Sequence, residues 1–165
     1  MPAKRIGEIL IEKKLITREQ LQDALVEQRG TNEFLGAILV RRGLITNEEL
    51  SQVLAEQFGL GFVKLKDVSS GIDFSLARNC PSSLILEKKC FPLYSDIDSV
   101  TVAIVDPLNA KVMSAAEREM APLKVRFVLM TPQDLGRLAD TYHSSVSNNI
   151  RHLLEKRKEH PKPDE

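Results

Sequence analysis

Residues 5–28 read RIGEILIEKKLITREQLQDALVEQ and residues 34–57 read FLGAILVRRGLITNEELSQVLAEQ, and the second stretch repeats the first at an offset of 29 positions without a gap. Gly7 meets Gly36, Leu10 meets Leu39, Leu15-Ile16-Thr17 meets Leu44-Ile45-Thr46, and Leu21, Leu25 and Gln28 meet Leu50, Leu54 and Gln57. An internal duplication this dense means that one structural unit has been used twice. Within each copy the apolar positions (Ile6, Ile9 and Leu10, then Leu21, Ala24 and Leu25) fall at helical spacing. Between the two runs stands a threonine with Gln or Glu three residues later, Thr17 with Gln20 and Thr46 with Glu49. That is a capping box, in which the hydroxyl and the longer side chain exchange hydrogen bonds with each other's backbone amide. Each copy therefore reads as two helices, and residues 1–60 as a four-helix tandem-repeat unit.

Phe58-Gly59-Leu60-Gly61 interrupts the pattern, and a second unit over 61–146 is expected beyond it. Phe62-Val63-Lys64-Leu65 has strand composition, and short helices are expected at Asp73–Ala77 and Pro81–Glu87. Phe91–Tyr94 and Val100–Val105 flank a turn-rich Ser95–Ser99 and predict two antiparallel strands. A helix carrying Val112, Met113, Ala116 and Met120 follows, then an alternating strand over 123–129. A last helix is capped at Thr131 and carries Leu135, Leu138, Ala139 and Tyr142 on one face. The fold class is thus α+β, a helical repeat unit followed by a small mixed sheet covered by helices on one side. Residues 147–165 form a charged tail, helical or disordered, and from Ile150 onward its composition predicts fraying.

Charge narrows the function. Lys plus Arg (23) equals Asp plus Glu (23), so no net positive field recruits nucleic acid. No apolar run is long enough to span a bilayer and the first residues lack the apolar centre of a signal peptide, which predicts a cytoplasmic protein without a transmembrane segment. Cys80 and Cys90 lack metal-ligand spacing and read as buried small hydrophobes. His143, His152 and His160 read as solvated, and Asp106-Pro107 as a turn whose carboxylate could instead hold a ligand amine. No phosphate loop, zinc-binding helix or nucleophile elbow occurs, so no catalytic residue, metal site or cofactor is assigned.

The duplicated glycines and glutamines remain. Gly7 and Gly36 stand in helical context, where glycine costs about 1 kcal/mol relative to alanine, so something approaches the backbone closely at both. Tight crossing of the two helix pairs satisfies that condition, and so does a ligand. Gln28 and Gln57 each end an apolar stripe and can either cap a neighbouring backbone or read a polar ligand edge. Because both features occur twice, a ligand with two equivalent halves, such as a symmetric dinucleotide, suits them.

The doubled pattern Arg5-Ile6-Gly7, Leu10, Leu21, Leu25, Gln28, a spacer Arg29–Glu33, then Phe34-Leu35-Gly36, Leu39, Leu50, Leu54, Gln57 resembles the cyclic di-GMP-binding N-terminal domain of MshE-type secretion and type IV pilus assembly ATPases. The resemblance runs over roughly residues 4–145 and includes Val102–Pro107 and Tyr142 in the second unit. It implies that these fourteen residues contact cyclic di-GMP, the leucines packing on the bases while arginine, glycine backbone and glutamine make the polar contacts. Phe34 stands where the second motif has arginine and offers a stacking face instead; Lys14 stands where the first motif has its second glycine and offers a charge. The ATPase domain of that family has no counterpart in this sequence. The resemblance therefore implies a noncatalytic regulatory domain, standalone or part of a longer chain. Its expected partners are a secretion or pilus assembly ATPase or a cytoplasmic membrane-platform protein. Related domains of type II secretion ATPases serve as protein docking modules, which is the alternative reading.

Overall fold

The computed structural model describes residues 5–159. The two sequence copies form two helix pairs, α1 (Ile6–Glu12) with α2 (Arg18–Arg29) and α3 (Leu35–Arg41) with α4 (Asn47–Phe58). Both capping boxes are made. Thr17 Oγ1 accepts from the Gln20 amide at 3.1 Å while Gln20 Oε1 accepts from the Thr17 amide at 2.9 Å, and Thr46 with Glu49 repeats this at 3.1 and 2.8 Å. The first helix of each copy ends in the same way. The Leu15 amide reaches back to the Leu10 carbonyl and the Lys14 amide to that of Ile11, as Leu44 does to Leu39 and Gly43 to Val40. This paired bonding is a Schellman closure, which requires a left-handed residue just past the helix. Lys14 (φ +58°) and Gly43 (φ +72°) occupy that position.

After α4, closed by Gly59 at φ +66°, come β1 (Gly61–Phe62), α5 (Leu65–Val68), two 3₁₀ turns (Ser69–Gly71 and Phe74–Asn79) and α6 (Ser82–Leu86). Then follow β2 (Cys90–Ser95), β3 (Ser99–Ile104), α7 (Ala110–Met120), β4 (Lys124–Leu129) and α8 (Pro132–Glu159). The sheet is mixed and ordered β1-β4-β3-β2. β2 and β3 are the antiparallel hairpin, Cys90 opposite Ile104, and β3 runs parallel to β4, Val102 opposite Phe127, with α7 as the crossover. This is the α+β class that the sequence predicts.

Several expectations are corrected. The strand expected at 62–65 is only the two residues Gly61–Phe62, and Leu65 instead begins α5. Covering on one side is replaced by covering on both, since β3 is buried at Ser99, Val100, Val102, Ala103 and Ile104, positions that alternate between faces. The fraying expected from Ile150 is not observed: α8 continues to Glu159, and the expectation for 160–165 lies outside the described residues. The stretch Leu153-Leu154-Glu155-Lys156-Arg157-Lys158 is made of strong helix formers, and its cations sit where the helix dipole favours them. His143, expected in solvent, is half-buried, its ring 5.6 Å from that of Tyr142 and its Nε2 buried without a hydrogen-bond partner among the described residues. Cys80 and Cys90 are free and buried, Sγ atoms 3.6 Å apart, as small hydrophobes would be.

Two hydrophobic clusters form. One holds Ile9, Leu10, Ile16, Ala24, Ile38, Leu39, Ile45 and Val53 from the repeats. The other is built on the sheet around Phe91, Leu93, Val102, Leu129 and Leu135. Helix α4 serves both, Val53 in the first and Ala55 and Leu54 in the second. The repeats therefore do not close all of their own apolar surface, and α4 lies directly against the sheet.

Candidate functional site

An open groove of about 860 Å³ runs over the exposed side of the repeats. Both copies present the same positions to it: the N-terminal ends of α1 and α3, and one face each of α2 and α4. Arg5, Ile6, Gly7, Leu21, Leu25 and Gln28 line it from the first copy, and Phe34, Leu35, Gly36, Leu50, Leu54 and Gln57 from the second. Twelve of the fourteen sequence-derived positions are thus brought together on one surface.

Leu10 and Leu39 are not on it. Both side chains are fully buried in the helical core, so the expectation that they contact a ligand is corrected. Their carbonyls accept the back-bonds that close α1 and α3, and a leucine at that position customarily packs under the turn. Their recurrence in both copies follows from helix closure and core packing. Lys14 does not line the groove either, so it is not the replacement charge that its place in the motif suggested.

The glycines serve packing and groove together. A Cβ built on Gly7 would lie 3.0 Å from both Cδ atoms of Leu21, and one on Gly36 would lie 2.6 Å from Leu50 Cδ1. What approaches the backbone is the leucine of the same copy's second helix, so the tight crossing expected between the two helix pairs is found instead within each pair. That leucine is also a groove-lining residue, so the missing Cβ determines how deep the groove is. Gln28 donates from Nε2 to the Glu33 carbonyl at 3.3 Å, tying the end of α2 to the end of the spacer.

The groove includes residues that the repeat pattern does not mark. Phe58 lines it, as do Val105, Asp106 and Leu108 from the turn after β3. Asp106 Oδ1 accepts from the Leu108 amide at 2.9 Å, the Asx turn expected there, and the residue nonetheless lines the groove. Its contribution depends on a long-range contact that spacing in sequence does not encode. Arg41 also lines the groove, and helical spacing from Ala37 could have indicated it. It is paired with Glu27 and with Glu33, Nε to Oε2 at 3.3 Å, while Arg42 Nε holds the other Glu27 oxygen at 2.7 Å. The hydrogen bond from Arg41 holds the Glu27 carboxyl below its ordinary pKa, opposed by desolvation and reinforced by the hydrogen bond from Arg42.

Among the described residues no helix is long and apolar enough to cross a membrane, and no cluster of three or more His, Cys, Asp or Glu is arranged to hold a metal ion. Comparison with solved structures finds MshE with cyclic di-GMP at TM-score 0.74 and 24% identity, over 84% of this chain and 99% of that one. It also finds the N-terminal domain of XpsE in two crystal forms, at TM-scores 0.59 and 0.54 and 18% identity. These cover 82% and 85% of this chain, and 92% and 95% of theirs. At such identities the likeness establishes the fold. No curated protein matches the chain. The family model for the MshEN domain matches residues 58–157, from the end of α4 through the sheet and along α8, and by that match the chain belongs to the MshEN domain family.

Proposed function

We propose that the chain is a noncatalytic receptor domain for cyclic di-GMP that couples this ligand to a secretion or pilus assembly machine. The observation that carries the reading is the groove itself, to which both copies of the repeat present equivalent Gly, Leu and Gln positions. Its volume falls in the range of about 300–1,000 Å³ typical of small-molecule sites. Leu21, Leu25, Leu50 and Leu54 offer an apolar floor for two purine faces, Arg5 a guanidinium for phosphodiester or guanine acceptors, and Asp106 a carboxylate for guanine N–H donors. Phe34, two-thirds exposed at the start of α3, offers a stacking face where the matching position of the first copy has Arg5. The similarity to MshE with cyclic di-GMP supports the same ligand class. Isothermal titration of the full chain with cyclic di-GMP, with the linear dinucleotide as control, tests it. Saturable binding of the cyclic form alone is expected, and absence of heat at high micromolar ligand would refute it.

The docking-module reading rests on a different observation. Val146, Ile150, Leu153 and Leu154 leave an exposed apolar stripe on the outer half of α8. It predicts a partner protein whose binding is indifferent to cyclic di-GMP.

A further inference from the structure

We infer that Arg41 is the cation serving the ligand half held by the second repeat, in place of the charge that Phe34 does not provide; this rests on the cyclic di-GMP reading above. The two copies present unequal chemistry. The first brings Arg5 to the groove from the residue preceding α1, whereas the equivalent residue preceding α3 is Phe34. Arg41 closes α3 one turn beyond Ala37, and both line the groove. Its counterpart in the first copy is Glu12, which does not line the groove. The groove thus has one arginine from each copy, at opposite ends of equivalent helices.

Arg41 is also held in place. Its Nε and Nη2 donate to the two Glu33 oxygens at 3.3 Å each, and Nη2 also donates to Glu27. Arg42 grips Glu27 from the other side, so two carboxylates and two guanidiniums form a locally neutral cluster that does not repel an anion. The two N–H groups of Nη1 take no part in these pairs and the side chain is half exposed, leaving a planar donor edge for acceptor oxygens. A guanidinium already oriented by carboxylates loses less freedom on binding than an untethered one. The cluster continues into the ligand-facing motif, because the main-chain carbonyl of Glu33 accepts from Gln28.

The test is titration calorimetry of the full chain with cyclic di-GMP. One charge-assisted hydrogen bond corresponds to about tenfold or more in affinity, so Arg41→Ala is expected to weaken binding by about that factor. Arg29→Ala, which removes a cation of the same unit that does not line the groove, is expected to bind as wild type. Phe34→Arg returns a guanidinium at the motif position and is expected to tighten binding clearly more in the Arg41→Ala background than in wild type, a coupling that a merely structural role for Arg41 would not produce. Thermal melting checks the fold, and exposed ion pairs contribute little enough that Arg41→Ala should melt near wild type. Wild-type binding with unchanged affinity in Arg41→Ala overturns the role of Arg41 and leaves the ligand reading intact. Failure of the wild type to bind overturns both.

Discussion

Replacing Lys14 by glycine is expected to stabilise the protein without changing what it binds. Lys14 adopts φ +58° so that its own amide and that of Leu15 can close α1 on the carbonyls of Ile11 and Leu10. A side chain in left-handed backbone costs about 1–2 kcal/mol, and glycine relieves this while giving back about 0.4–1 kcal/mol through the freer unfolded chain. The net gain is about 0.5–1 kcal/mol, and at about 2–4 °C per kcal/mol for a chain of this size the melting temperature should rise by a few degrees. The second copy supplies an internal control. Gly43 makes the same closure at φ +72°, and nothing lies within 4 Å of a Cβ placed there. Gly43→Ala should therefore lose about 1 kcal/mol through backbone strain alone. Urea denaturation of the two variants with wild type measures both signs, and titration with cyclic di-GMP should give the same affinity for Lys14→Gly as for wild type because Lys14 is off the groove. A Lys14→Gly protein that is less stable than wild type would refute the strain argument, and one that loses affinity would return Lys14 to the site.

Gly36→Ala should be harder to accommodate than Gly7→Ala, since the added Cβ would meet Leu50 at 2.6 Å against 3.0 Å from Leu21. With overpacking at about 1–3 kcal/mol against a helix-propensity gain of about 1 kcal/mol, the expected result is a net loss near 1 kcal/mol at position 36 and near zero at position 7, with weaker ligand binding at 36 as Leu50 is pushed into the groove; equal melting and affinity for the two variants would refute it. Glu27 has a folded-state pKa below its ordinary 4.5 because Arg41 and Arg42 hold its anion, so its contribution to stability is fully present above the unfolded value and is lost as pH falls through the lower folded one. Carbon-detected NMR titration should give Glu27 a midpoint below 4.5 in wild type and a higher one in Arg41→Ala, and a wild-type midpoint at or above 4.5 would contradict the pairing.

What could be read in the sequence was what depends on neighbours in the chain. The capping boxes at Thr17 and Thr46, the hairpin of β2 with β3 and the α7 crossover each follow from short-range spacing. Two kinds of feature did not. A leucine repeated in both copies carries no sign of whether it faces a ligand or the core, and Leu10 and Leu39, like Leu21 and Leu50, recur at the same offset with the same chemistry. Only the position within the helix separates them, Leu10 and Leu39 standing at the closing turn and inside the core. Pairings between distant segments were the second kind. β1 is a two-residue strand whose bonding to β4 is set by residues about 67 positions away, Gly61 opposite Val128, and Asp106 joins the groove by the same folding of the sheet against α4.

That packing also explains why a duplicated sequence does not make a symmetric site. Two copies with equal surroundings would present equal halves, but α4 lies against the sheet through Leu54 and Ala55, so the turn after β3 brings Val105, Asp106 and Leu108 to a groove that the repeats alone would leave open there. The repeats also differ between themselves: at the matching position α1 offers Glu8 and α3 offers Ala37, and only α3 goes on to bring Val40 and Arg41 to the groove. On the reading proposed above, substitution of the motif arginine by Phe34 is tolerable in such a frame because the second repeat brings a cation, Arg41, to the groove from further along its own helix. A symmetric ligand in this groove would meet two different sets of donors, and the contacts of its two halves would respond to different mutations, Arg5 for one and Arg41 for the other.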